Sequence, residues 1–138
     1  MKRILVVDDR PAFREPIAAR LREAGFETVV AANGVAALCA VQTSPPDLIV
    51  LDIALPGMDG ISVLRALRNQ TGVQRIPVIL LTAGADRQNI ADAMKLGVRD
   101  CLLKSQITLE DLVGRVNRIL RTRPSGAGGV CTLAAGSM

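Results

Sequence analysis

The sequence predicts an α/β domain, a doubly wound sheet of five parallel strands with helices on both faces. Three observations carry this reading. Short β-branched apolar runs alternate along the chain with segments of helical period. The runs are continuously apolar, which fits strands buried on both faces, as parallel strands are. And 138 residues with 49% hydrophobic content suffice for one core without disulfide or metal staples.

The first strand is "RILVVD", and Ile17, Leu21 and Ala24 mark the inner face of the helix after it, closed by "AGF" at Gly25. Pro16 would cost a hydrogen bond in a helix beginning at Pro11, so the regular helix is expected to start near Phe13 or to bend. "ETVVAA" is the second strand, followed by a helix with Val35, Leu38 and Val41 inward. "SPPD" breaks the chain before the third strand, "LIVLD", and Ile61, Leu64 and Leu67 follow at helical spacing. "PVILLT" is the fourth, with Ile90, Met94 and Leu96 behind it and "LGV" closing that helix at Gly97. The fifth, "DCLLK", precedes a helix carrying Leu109, Leu112, Val116 and Leu120, which Pro124 stops. Residues 124–138, "PSGAGGVCTLAAGSM", read as a flexible Gly-rich linker or tail behind a domain of residues 1–123. An output domain could follow in a longer parent chain.

The formal charge of +4 is unevenly placed. Residues 114–138 hold Arg115, Arg118, Arg121 and Arg123 and no acid, whereas the other 113 residues carry 13 basic and 13 acidic side chains. The domain body is thus neutral, the C-terminal arginines read as a solvated face completing the helix dipole, and no direct nucleic-acid binding is expected. Cys39, Cys101 and Cys131 form no CxxC pair, which fits reduced thiols in the cytoplasm. With no His, imidazole triads, His phosphocarriers and His-ligated zinc are excluded. Neither a signal peptide nor a run of membrane-spanning length is present, so a cytoplasmic protein without a membrane partner is expected.

Chemistry enters at the strand ends. In "ILVVDD" four apolar residues run straight into Asp8 and Asp9, and two adjacent carboxylates at a buried strand end require a compensating cation. Ligands of open α/β sheets bind beyond the carboxyl ends of the strands, at the topological switch point. With strand order 2-1-3-4-5, Asp8 and Asp9 would meet Asp52 from the third strand, Thr82 from the fourth and Lys104 from the fifth. Three carboxylates make a hard-oxygen site suited to Mg²⁺ or Mn²⁺, and Lys104 supplies a further cation.

Taken together, "VVDD", "LDIALPGMDG", "LLTA" and "LLK" stand in the order and spacing of a known family: residues 2 to about 121 resemble the receiver domains of two-component response regulators. That resemblance implies a flavodoxin-like fold and a signalling switch in which Asp52 is the phosphoacceptor. It further implies that Asp9, Asp52 and the backbone carbonyl of Ala54 ligate the metal, that Asp8 helps through water, and that Thr82 and Lys104 bind the phosphoryl oxygens. Residues 56–60 would form the turn into the third helix. The donor would be a phosphohistidine on a sensor histidine kinase or phosphotransfer protein. The face of the fourth helix, fifth strand and fifth helix would meet an output domain or a second copy as a homodimer. No enzyme is implied beyond the domain's own phosphorylation and dephosphorylation.

Two alternatives stand beside this reading. A Mg²⁺-dependent phosphohydrolase of the haloacid dehalogenase type also uses an Asp nucleophile, but needs D-x-D, and here Arg10 follows two adjacent acids. A receiver-like interaction module acting without phosphate is the other, because the coupling residues depart from the family pattern. Ser105 stands where Pro usually follows the Lys, in a bond typically cis, and Cys101 stands where Tyr or Phe is usual. Cys101 is too small to transmit as an aromatic would. Ala54 and Gly84, two residues after Asp52 and Thr82, offer no group to orient water, so autodephosphorylation of intermediate to slow speed is expected.

Overall fold

The computed structural model describes residues 1–70, 72–73, 75–84 and 87–121. Five strands and five helices alternate: β1 (Arg3–Val7), α1 (Pro11–Glu23), β2 (Glu27–Ala31), α2 (Gly34–Thr43), β3 (Leu48–Asp52), α3 (Gly60–Arg68), β4 (Val78–Thr82), α4 (Arg87–Lys95), β5 (Asp100–Leu103) and α5 (Leu109–Arg121). All pairings are parallel, as the continuous apolar runs predicted, and the order is β2-β1-β3-β4-β5, the order expected of a flavodoxin-like sheet. Pro124 and the predicted tail, residues 124–138, lie outside the described residues.

Strand periodicity divides the core into two layers. Leu5, Val7, Ile49, Leu51, Val78 and Leu80 face one side and pack with Ala37 and Val41 of α2, Leu64 and Leu67 of α3, and Ala93 of α4. Ile4, Val6, Leu48, Val50, Ile79 and Leu81 face the other, against Ile17 and Leu21 of α1 and Leu112, Val116 and Ile119 of α5. Every residue of β3 and β4 is buried, so Asp52 and Thr82 stand at the ends of fully buried strands.

Several local expectations need correction. α1 begins at Pro11, not near Phe13: the amides of Phe13 and Arg14 both bond to the Arg10 carbonyl, at 3.0 and 2.9 Å. Pro11 occupies a first-turn position that needs no N–H, and Pro16 inside the helix denies only the Ala12 carbonyl its partner. In α2, Val35 is exposed and the small residues Gly34 and Ala37 face inward with Val41. The reason is close approach: a Cβ on Gly34 would stand 2.7 Å from Val63 Cγ2. Met94 is exposed while Ala93 is buried in α4, Ala24 lies exposed at the end of α1, and in α5 Ile119 is buried where Leu109 is exposed. Arg115 is not merely solvated but pairs with Asp100. Gly25 and Gly97 close α1 and α4 with φ of 99° and 80°, as predicted.

Candidate functional site

Parallel register brings the strand ends level at the carboxyl end of the sheet. Val7 pairs with Leu51, Asp52 with Leu81 and Thr82 with Leu103. Asp8 follows β1 with its amide still bonded to Ala31 of β2, at 3.1 Å, and Lys104 follows β5 with its amide on the Thr82 carbonyl, at 2.8 Å. Four of the predicted groups, Asp8, Asp9, Asp52 and Lys104, come together here.

The required cation is Lys104. Its Nζ stands 2.9 Å from Oδ2 of Asp8 and 3.3 Å from Oδ2 of Asp52, bridging the two. Both acids are almost wholly buried, at 1% and 2% exposure. Each keeps its other oxygen on a backbone amide: Arg10 N–H donates to Asp8 Oδ1 at 2.9 Å, and Ala54 N–H to Asp52 Oδ1 at 3.3 Å. One ammonium does not balance this much negative charge. Burial above all, and then the charge of Asp8, hold the Asp52 carboxyl above the usual carboxylate range, against the opposing pull of Lys104 and the Ala54 amide.

The cluster fits a divalent cation. Carboxylate oxygens of Asp8, Asp9 and Asp52 lie within 4.8 Å of one another. Oδ2 of Asp8, though close to Lys104, is buried and receives no well-directed hydrogen bond. Hard oxygen donors and more carboxylates than the one ammonium can neutralise together suit Mg²⁺ or a cation of its class.

The loop after Asp52 is shaped by two glycines. Gly57 takes a positive φ of 77°. Gly60 donates its amide to the Ile53 carbonyl at 2.8 Å, and a Cβ there would stand 2.5 Å from Ile53 Cα and 2.6 Å from the Asp52 carbonyl oxygen. Only glycine lets the chain fold back so closely and start α3, whose cap is Asp59 accepting from Ser62 N–H at 2.8 Å.

Thr82 sits on the adjacent strand end, but its hydroxyl is engaged locally. It donates to the Gly84 carbonyl at 2.7 Å and accepts from the Gly84 amide at 3.3 Å. Cys101 is away from the acids: half-buried, it packs against the layer formed with α2, α3 and α4 and lines a shallow cavity of about 270 Å³ with Ile107 and Arg115. Burial, reinforced by Asp100, pushes its thiol up. The Lys104–Ser105 peptide is trans. One residue at the site had been read only for its place in a helix: the Phe13 ring lies 4.3 Å from Lys104 Nζ. The only signal in the sequence was that Phe13 is one of two aromatic residues in the chain, which does not by itself point to Lys104.

The model of the response regulator receiver domain matches residues 4–117. The chain belongs to this family. The receiver domain is 42% identical over 120 residues to the DNA-binding response regulator MtrA of Mycolicibacterium smegmatis, covering 87% of this chain and 51% of MtrA. It is 37% identical over 125 residues to the phosphate regulon transcriptional regulatory protein PhoB of Pseudomonas aeruginosa, covering 91% and 54%. The chain thus spans about half the length of the curated relatives it matches. Among solved structures, a two-component response regulator from Clostridium difficile superposes with TM-score 0.82 at 30% identity, covering 91% of this chain and 100% of that one. The receiver domain of sensor histidine kinase PA1611 from Pseudomonas aeruginosa, with magnesium coordinated in its active-site cleft, superposes with TM-score 0.79 at 30% identity, covering 88% and 98%. This chain is accordingly a receiver domain of the kind that serves phosphorylation-dependent signalling. Among the described residues no helix is long and apolar enough to cross a membrane.

Proposed function

We propose that Asp52 accepts a phosphoryl group from a phosphohistidine on a sensor kinase or phosphotransfer protein. The observation that carries this reading is the pair of buried carboxylates at the strand ends, Asp8 and Asp52, bridged by a single ammonium with Asp9 alongside. An Asp52 oxygen attacks phosphorus as the bond to the donor nitrogen breaks, and the product is an acyl phosphate.

Asp9 and Asp52, with the Ala54 carbonyl, would ligate Mg²⁺ and Asp8 would assist through water; the bound cation supplies charge neutralisation for the phosphoryl oxygens. Lys104 then leaves its bridge between the acids to bind a phosphoryl oxygen, while the Ala54 amide continues to orient the Asp52 carboxyl. Thr82 must release the Gly84 carbonyl to reach the same group. That exchange breaks the short turn after β4 and moves the start of the loop into α4, so the charge change is read on the face of α4, β5 and α5. An output domain of DNA-binding type, as in MtrA, or a second copy of the chain would bind there. Residues 1–123 would make up the receiver unit and 124–138 a Gly-rich linker or tail, in the cytoplasm. The domain would also lose its phosphoryl group at intermediate to slow speed, since Ala54 and Gly84 carry no side-chain group to orient water, yet neither blocks its approach.

The test is incubation with acetyl phosphate and Mg²⁺ followed by intact mass. A single stable phosphoryl adduct is expected. Multiple turnovers on generic phosphate esters would support a hydrolase instead, and no adduct would support a phosphate-independent interaction module.

A further inference from the structure

We propose that Phe13 is a positioning residue for Lys104: the face of its ring holds the ammonium over the acid pair so that it meets the incoming phosphoryl group. The role rests on the phosphoacceptor reading above. Lys104 is a long, flexible side chain with a strongly hydrated head, and its Nζ stands 2.9 and 3.3 Å from its two carboxylate partners. The Phe13 ring, 4.3 Å away, supplies an attractive electrostatic face and an apolar cover, and only 10% of the Lys104 side chain remains exposed.

The ring is itself fixed relative to the acids. Pro11 sets the first turn of α1, Arg10 N–H donates to Asp8 Oδ1 at 2.9 Å, and the Arg14 guanidinium donates to the Asp8 carbonyl at 3.1 Å. Phe13 stands between these two anchors in sequence. As a core residue it would be poorly placed, for 37% of it is exposed at the start of a helix. When Lys104 exchanges a carboxylate for a phosphoryl oxygen, the ring stays behind it and limits its escape into water.

The test compares Phe13→Leu, Phe13→Ala and Phe13→Tyr with the wild type. Leu retains an apolar side chain but has no quadrupole, whereas Tyr keeps the ring. Phosphoryl uptake from acetyl phosphate should slow about fivefold in the Leu and Ala variants and return to wild-type rate in the Tyr variant. In the metal-free protein, the Lys104 Cε protons should show an upfield ring-current shift in wild type and Phe13→Tyr, absent in Phe13→Leu. Circular dichroism melts confirm that each variant is folded. Wild-type uptake in Phe13→Leu, or unshifted Lys104 protons in the wild type, would overturn the positioning role. A wild-type protein that takes up no phosphoryl group at all removes the underlying reading, and this role with it.

Discussion

Two partly buried cations sit at opposite ends of the strands, and their partners differ in kind. Arg68, at the end of α3, lies by the amino ends of β4 and β5 and donates to the carbonyls of Leu96 at 2.7 Å, Ile76 at 2.9 Å and Gly97 at 3.3 Å. Lys104, at the carboxyl end, faces two buried carboxylates and a ring. Arg68 has uncharged partners in number, so burial lowers its pKa while hydrogen bonds tie α3 to two loops. Lys104 is one cation among several carboxylates, and burial above all, then the charge of Asp8, holds the Asp52 carboxyl up despite it. The first arrangement ties a helix to neighbouring loops; the second gains by recruiting further charge. That contrast separates a cation that braces the fold from one that belongs to a binding site.

The largest predicted effects would break the contrast if they appeared at the wrong end. Lys104→Ala should cut phosphoryl uptake about a hundredfold while leaving a folded domain. Arg68→Ala should cost about 3 kcal/mol in urea unfolding, because it leaves several carbonyls without donors, yet keep uptake within about threefold of wild type. An Arg68 variant that lost uptake without losing stability would erase the distinction. Gly60→Ala comes next. A Cβ at 2.5–2.6 Å from the backbone of Ile53 and Asp52 should cost about 2 kcal/mol and slow uptake too, since the displaced atoms carry the Asp52 carboxylate.

A smaller effect sharpens the electrostatic side. Because the folded state raises the Asp52 pKa, ionising Asp52 opposes folding in the metal-free protein. The penalty is full above the folded pKa and vanishes as pH falls below the unfolded value, ordinarily 3.8. Asp52→Asn should therefore raise the metal-free Tm at neutral pH, by about 4 °C, and the advantage should shrink toward acid. Calorimetry across pH checks this; equal melting temperatures at neutral pH would mean that Lys104 already offsets the burial cost. The smallest effect is at Cys101. Truncation to Ala should change phosphate-dependent dimerisation or partner affinity by less than about twofold, because a thiol buries little area to gain or lose. A larger loss, with uptake unchanged, would make Cys101 the coupling residue.

The parallel sheet and the convergence of Asp8, Asp9, Asp52 and Lys104 were legible because buried parallel strands are continuous apolar runs and four of the five runs end in a polar or charged residue, the second ending in alanine; the strand order came from the family resemblance. Helix faces were less legible. Val35 and Met94 look like core residues by spacing, but α2 and α4 approach the sheet through Gly34, Ala37 and Ala93, and close packing of small residues leaves little trace in a hydrophobic pattern. The Pro16 problem was overestimated, since a proline early in a helix withholds one bond and need not shift the start. Phe13 escaped notice because a ring–ammonium contact joins α1 to the end of β5, a pairing no local motif encodes. The engagement of Thr82 with Gly84 was equally hidden: the residue type was readable, but not the direction of its hydroxyl.

Whether the charge-rich end of the sheet places a phosphoryl group on Asp52 is decided by intact mass of wild type and Asp52→Asn after incubation with acetyl phosphate and Mg²⁺. One phosphoryl adduct is expected on the wild type and none on the variant, with both folded by circular dichroism. An adduct on Asp52→Asn at the wild-type level would contradict that placement.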